Sequence, residues 1–422
     1  MCIIILNSSN PQFSFIIRKN PASGLQLKSI RKGTAFGYYK KDSNQEFVIY
    51  FKDGDGEMSY KESTDQEFEY LNNLQYTSPI FVLNAVSDFF NTVCQKQADD
   101  DVEGESNVLF VNLAHIQNKA FNVVEKLEPF FTDVQISIER KVANNYQITI
   151  KTKKSLYYLL NFVVVYFGII SWINQNDMDM SDNLIEKLLK CANNIDAEYY
   201  TRYIFASRIL VTPKNFRKFK PLIEKPNMKL FYGNTALQRR NYIEDRLKFD
   251  KPIIDIGCGE GFYAIAFAKK LDPSLKYIAI DTDASCLELV NKKIAKKEIT
   301  NITTMNSHTD LPRADPTVYD VIISEVVEHM DREKSQEIIR FILDHIKFGK
   351  IIITTPNSEF NKFYRLEGKF RHDDHKWEYT RNEFKTYMEE TVNGHKVDVQ
   401  YVDIGDQVDG LTVSQGAIIQ PM

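Results

Sequence analysis

The stretch from Pro252 to Lys270, "PIIDIGCGEGFYAIAFAKK", restricts the fold more than any other in the chain. An apolar run ends on an acid, Asp255, followed by Gly257, Gly259 and Gly261 and then by a helix-forming segment. Glycine reaches positive φ without steric penalty. Glycines at alternate positions therefore permit a tight turn and let a ligand lie against bare backbone. Strand, turn and helix in that order open an α/β domain with a mostly parallel sheet, and the alternation continues toward the C-terminus. A glycine triplet alone is also compatible with an ordinary βα turn. A second acidic strand end supports a binding role: "KYIAID" places Asp281 26 residues beyond Asp255, where a carboxylate can accept hydrogen bonds from both hydroxyls of a ribose.

At 422 residues the chain is long for one domain. Its composition is 43% hydrophobic, enough to bury real cores. A net charge of −4 does not mark a nucleic-acid binder, although an average over two domains hides a local basic patch. Five scattered cysteines with no CxxC pair point to a reducing, cytoplasmic compartment and argue against a disulfide scaffold or a cysteine zinc site. The expected organisation is an α+β N-terminal domain over residues 1–205, a basic linker over 206–233, and an α/β domain over 234–422. In the first domain, short β-rich runs have turns at Asn20-Pro21 and "DGDGE". A helical pattern from Ser78 to Val93 follows, then the acidic loop "ADDDVEGES" and a hairpin around Ala143-Asn144-Asn145. The uncharged run Leu156–Ile173 approaches a membrane span in length, but Asn161, Gly168 and Ser171 interrupt it, and it is read as a buried core helix. "MCIIILNSSN" is too short and too uncharged for a signal peptide. The proline- and lysine-rich segment Thr212–Asn234 reads as a solvated linker.

A dinucleotide fingerprint would read GxGxxG, whereas this turn is GxGxG with an acid two residues before the first glycine. In that form it resembles motif I of class I S-adenosylmethionine-dependent methyltransferases. The resemblance implies a Rossmann-like domain with its site at the carboxyl ends of the strands. Asp255, Gly257, Gly259 and Gly261 would lie along the methionine part of the cofactor, Asp281 on its ribose, and Ser307 and His308 near the adenine.

The fourth strand of that domain should end at Ser324 and is followed by "EVVEHM". If a helix begins near Glu325, then Glu325, Glu328 and His329 fall at i, i+3 and i+4 and share one face. Acids in a first helical turn also complement the helix dipole, which accounts for the glutamates but not for the histidine. Beyond the strand "GKIIITTPN", the loop "SEFNKFYRLEGKFRHDDHKWEYTR" adds His372 and His375, so that three of the seven histidines fall in this region. Two carboxylates and two histidines would bind one divalent ion with positions left open, and mixed O/N ligands suit Mn²⁺, Co²⁺ or Fe²⁺ better than an all-oxygen Mg²⁺ cage. Such an ion can accept the vicinal 2′-OH and 3′-OH of a terminal ribose, which would select free RNA 3′ ends. His372 is the candidate general base.

Together "SEVVEH", "TTPNSEFN" and "RHDDHKWEYTR" resemble the small-RNA 3′-terminal ribose 2′-O-methyltransferases, which include plant microRNA, animal piRNA and bacterial RNA-repair enzymes. The resemblance covers roughly residues 230–420. It implies methyl transfer from S-adenosylmethionine to the 2′-OH of an RNA 3′ end, with Glu325, Glu328, His329 and His375 holding a divalent metal (Mn or Mg, with Co or Fe as alternatives). Ser324 would sit between cofactor and metal. The family usually has Phe-Glu-Trp where this chain has Trp377-Glu378-Tyr379, a swap that keeps the aromatic character. "FIIRKNPASGLQLKSIRKGTAFGYYK" and "YLNNLQYTSPIFVLNAVSDFF" are similar to the N-terminal domain of the bacterial branch, although the second departs from the usual Asn-Asp-Arg-Pro core. That domain implies a partner, the bacterial polynucleotide kinase-phosphatase-ligase, and no membrane. Two other readings compete: a degraded methyltransferase that regulates an RNA ligase, and a methyltransferase with a small-molecule acceptor. The basic segment Lys214–Arg240 and Arg365, Arg371 and Arg381 favour RNA, as candidate phosphate contacts.

Overall fold

The computed structural model describes residues 2–30, 33–52, 77–174, 181–313 and 315–422. It divides into two compact units: Met1–Phe205 with Lys218–Ile223, and Ala206–Arg217 with Glu224–Met422. The segment read as a solvated linker is largely ordered, with a helix at Pro213–Ile223 and a short strand, β8, at Met228–Lys229. Phe216, Phe219 and Ile223 are buried on that helix, so apolar residues at helical spacing outweigh its lysine content.

The first unit is α+β. Its antiparallel sheet comprises β1 (Cys2–Ser8), β2 (Gln26–Ile30), β3 (Gly33–Tyr39), β4 (Glu46–Lys52), β5 (Asn107–His115), β6 (Val134–Val142) and β7 (Asn145–Thr152), in the order β2-β3-β4-β1-β5-β7-β6. The hairpin predicted around Ala143 joins β6 to β7, with Val142 opposite Asn145 and Ala143 at φ 48°. The "DGDGE" turn lies outside the described residues. The helical pattern beginning at Ser78 forms two helices, Pro79–Phe89 and Asn91–Gln95. The apolar run Leu156–Ile173 is a single helix, long and apolar enough to cross a membrane, with 78% of it buried inside the protein. A helix apolar on every side needs such a surround. Its N-terminus is capped twice: Ser155 Oγ accepts from the Tyr158 amide at 3.1 Å, and the buried Asp101 carboxylate accepts from the Leu156 and Tyr157 amides at 2.8 Å each.

The second unit is α/β. Its remaining strands are β9 (Ile253–Ile256), β10 (Tyr277–Ile280), β11 (Ile302–Met305), β12 (Tyr319–Ser324), β13 (Phe348–Pro356), β14 (Val397–Val408) and β15 (Leu411–Pro421). The sheet order is β11-β10-β9-β12-β13-β15-β14-β8. Strands β9 to β13 pair in parallel, and the antiparallel β15, β14 and β8 close one edge. Strands buried on both faces read as continuous apolar runs, as "IIDI", "YIAI" and "VIIS" do. Ile254, Ile278, Val321 and Ile351 pack on one face, and Ile253, Tyr277, Ile322 and Ile352 on the other. The order reverses between β9 and β12, and at such a switch point the loops diverge and leave a crevice at the carboxyl ends. The glycine turn leaves β9 and "EVVEHM" leaves β12, so topology alone brings both motifs to that crevice.

Candidate functional site

The glycine turn is built on the conformations the sequence requires: Gly257, Gly259 and Gly261 have φ of 70°, 51° and 78°. A Cβ on Gly257 would stand 2.3 Å from Val326 Cγ2, whereas one on Gly259 would meet nothing within 4 Å. The turn therefore packs against the β12 loop on one side and is open at its centre, a cradle suited to a ligand. Asp281, at the end of β10, accepts from the Gly259 amide at 2.8 Å and from the Asp283 amide at 2.9 Å. Asp255 is buried and accepts the Tyr277 hydroxyl at 2.8 Å; burial pushes its carboxyl up to about 7. Ser307 caps the short turn His308–Asp310, accepting from the Thr309 amide at 3.2 Å. The His308 ring lies edge-on to Phe341 at 5.0 Å, and burial lowers its pKa. Ser324 is buried between Thr354 Oγ1 at 2.7 Å and the Tyr263 hydroxyl at 2.8 Å. Because Tyr263 follows the glycine turn and Ser324 ends β12, that bond ties the two motifs together.

No α-helix starts at Glu325. A 3₁₀ turn spans Val327–His329, and the α-helix begins only at Arg332. Glu325 itself is left-handed at φ 56°, a conformation that disfavours side chains, and its amide donates to the Thr354 carbonyl at 2.9 Å. Beyond this kink Glu328 is completely buried. Glu328 Oε2 accepts from Thr355 Oγ1 at 3.2 Å, while Oε1 is buried with no partner among the described residues. Burial, with Glu325 nearby, holds its pKa well above the usual carboxylate range.

The histidine loop closes over this turn, with the Lys376 amide donating to the Glu328 carbonyl at 2.7 Å. Trp377 is buried, stacks on Tyr379 at 4.0 Å and donates its indole N–H to the Met330 carbonyl at 3.0 Å. Among the described residues, Glu328, His329 and His375 each offer a ligand atom, all within 4.8 Å of one another. The His329 and His375 rings meet edge-on at 4.7 Å. Glu325, the fourth residue expected there, is not among these three; its Oε2 pairs with Arg239 at 3.3 Å and its Oε1 accepts from Thr354 Oγ1 at 3.2 Å. His372 is exposed, its ring 5.1 Å from that of His375.

Sequence reasoning missed the residues that orient this cluster. His375 Nδ1 lies 2.6 Å from Glu378 Oε1, and Glu378 is itself buried and held by Asn361 Nδ2 at 2.5 Å and the Arg371 amide at 2.7 Å. With Nδ1–H donating to that carboxylate, Nε2 keeps its lone pair for a ligand. His329 Nδ1 is 3.0 Å from the exposed Asp374. Arg371 and Arg381, expected at RNA phosphates, both hydrogen-bond within the protein, Arg371 from a partly buried guanidinium and Arg381 from a side chain that stays partly exposed. Arg371 donates to Asn361 Oδ1 at 2.7 Å and to the carbonyls of Val413 and Asn357 at 2.6 Å each. Arg381 donates to Asp403 at 2.7 Å and to the Gly410 carbonyl at 3.0 Å. A basic residue in a polar loop reads the same whether it faces solvent or knits the loop, so no sequence signal separated them.

Residues 3–228, more than half of the chain, match the family model of the Hen1 N-terminal domain. The chain belongs to the Hen1 family. Residues 247–415 match a methyltransferase domain. Among solved structures, a chain of a Pnkp1/Rnl/Hen1 RNA repair complex shares 25% identity and a TM-score of 0.81, covering 99% of this chain and all of that one. A chain of a second Pnkp1/Rnl/Hen1 complex shares the fold, with 24% identity and a TM-score of 0.79. Curated relatives are small RNA 2′-O-methyltransferases. That of Caenorhabditis elegans is 28% identical over 38% of this chain and 42% of its own length, and that of Mus musculus 23% over 46% and 49%. This Hen1-family chain thus spans less than half the length of these relatives.

Proposed function

We propose that this Hen1-family chain transfers the methyl group of S-adenosylmethionine to the 2′-OH of the 3′-terminal nucleotide of RNA. Its metal site is formed by Glu328, His329 and His375, with Glu325 as a fourth ligand. The observation that carries the reading is the convergence of Glu328, His329 and His375 at the same crevice as the glycine turn. Glu328 Oε1, buried and unpartnered, and His375, with its tautomer set by Glu378, together fit a cation. A divalent cation there supplies charge that lowers the pKa of a neighbouring hydroxyl, and the vicinal hydroxyls of a terminal ribose are the pair suited to it. The open cradle at Gly259 and the Asp281 carboxylate fit the methyl donor, with Asp255, Gly257, Gly261, Ser307 and Ser324 shaping its pocket.

The chain's own residues then have separable tasks. Glu378 fixes the ring of His375, Arg239 balances the charge of Glu325, and the Tyr263–Ser324–Thr354 hydroxyl chain sets the spacing between donor pocket and acceptor cluster. His372, exposed beside His375, takes the 2′-OH proton as general base. The Hen1 N-terminal domain match and the likeness to a chain of an RNA repair complex support a place in bacterial RNA repair, beside a polynucleotide kinase-phosphatase-ligase. Free thiols at Cys94, Cys191 and Cys258 agree with a cytoplasmic setting. The test is labelled methyl transfer to a short RNA with a free 3′ end, with chelator and then with Mn²⁺, Mg²⁺ or Co²⁺ restored. Transfer should stop with chelator and return with metal; transfer unaffected by chelation would overturn the metal role.

A further inference from the structure

A cavity of 330 Å³ opens in the second unit beside the glycine turn, lined by residues that include Val211, Tyr232, Asn234, Arg240 and Phe262. Among the described residues, no acidic side chain lines it. Phe262 is 44% exposed, and the Arg240 guanidinium lies over its ring with Cζ 4.6 Å from the centroid. Arg240 Nε is shielded from solvent and has no hydrogen-bond partner among the described residues. The far wall is fixed, since the Tyr232 hydroxyl donates to the Val211 carbonyl at 2.6 Å and the ring packs edge-on to Phe216 at 5.9 Å.

Two adjacent pairs of residues connect this cavity to the reaction centre. Arg239 pairs with Glu325 at 3.3 Å, while its neighbour Arg240 lines the cavity. Tyr263 bonds Ser324 at 2.8 Å, while its neighbour Phe262 lines the cavity. Each segment thus presents one side chain to the catalytic cluster and the next to the cavity.

We infer that this cavity holds a nucleobase from the last two nucleotides of the RNA acceptor, stacked on Phe262 or on the guanidinium laid over it. The inference rests on the proposed RNA 3′-end activity and adds to it a subsite separate from the metal and methyl-donor residues. A flat aromatic surface with a cation and no carboxylate suits a base flanked by phosphates, and both rings and guanidinium planes stack on unpaired bases. Stacking accepts any base, so the subsite anchors the strand end without choosing its sequence.

The test uses the full chain and short RNAs with a free 3′ end, carrying 2-aminopurine at the last or the penultimate position. Wild type should quench the fluorophore at one of these positions. Phe262→Leu should abolish the quenching and weaken RNA binding roughly 5- to 150-fold. The same variant should raise KM for RNA more than it lowers kcat and leave S-adenosylmethionine affinity, measured by calorimetry, unchanged. Phe262→Trp should restore quenching, which separates stacking from a folding defect. If wild type methylates RNA and Phe262→Leu matches it in quenching, affinity and KM, the subsite is wrong while the activity stands. If wild type neither binds nor methylates RNA, both fall.

Discussion

Replacing Glu328 by glutamine separates a metal ligand from a structural acid. Glu328 is completely buried, has one carboxylate oxygen without a donor among the described residues, and has its pKa raised by burial and by Glu325. Such a group does not stabilise the fold, so Glu328→Gln in chelator should unfold at the wild-type temperature or above it. A cation reverses the comparison. At a concentration one hundred times its Kd it stabilises the wild type by about 2.7 kcal/mol. In a unit of about 200 residues each kcal/mol moves Tm by roughly 2–4 °C, so the shift should be about 5–11 °C. The assay is thermal unfolding followed by intrinsic fluorescence, first in chelator and then across a Mn²⁺ titration. The variant should lose most of the shift. An equal shift in both proteins would refute ligation by Glu328, and a variant less stable than wild type in chelator would mean that the carboxylate is structural.

Other substitutions probe the supports of the site. Glu378→Gln removes the carboxylate at His375 Nδ1 and should weaken metal binding about 10- to 100-fold, read by calorimetric titration, with Tm in chelator little changed. Gly257→Ala drives a Cβ into Val326 at a positive φ and should lower S-adenosylmethionine affinity and stability together. Adding Val326→Ala should recover part of the affinity, and no recovery would show that the clash is not the cause. Asp255 titrates near 7 in the folded state because burial raises its pKa, whereas the unfolded chain ionises it near the ordinary carboxylate value. Between those values the folded state binds more protons, so wild-type stability falls as pH rises. Asp255→Asn should gain on wild type from about pH 4 to pH 7, by up to about 4 kcal/mol, and hold that advantage above. A difference in Tm independent of pH contradicts this.

The parts of the fold visible in the sequence were those governed by local rules. Gly257, Gly259 and Gly261 could be read because only glycine serves such a turn so readily, and "IIDI" and "VIIS" because a strand buried on both faces has no polar alternation. His329 stood out because the acidic first turn left it unexplained. The helix expected at Glu325 failed because a left-handed kink at a glutamate has no sequence mark; the Thr354 carbonyl and the burial of Glu328 impose it. The inward roles of Arg371 and Arg239 were equally hidden, since each depends on partners 42 and 86 residues away, Val413 and Glu325.

The most direct test of the central claim is labelled methyl transfer to four RNAs identical except at the 3′-terminal ribose: 2′,3′-diol, 2′-deoxy, 3′-deoxy and 3′-phosphate. Methylation confined to the diol, with the label mapped to the terminal 2′-O, is the predicted result. Comparable transfer to the 2′-deoxy or 3′-phosphate end, or label at an internal position, would contradict the account.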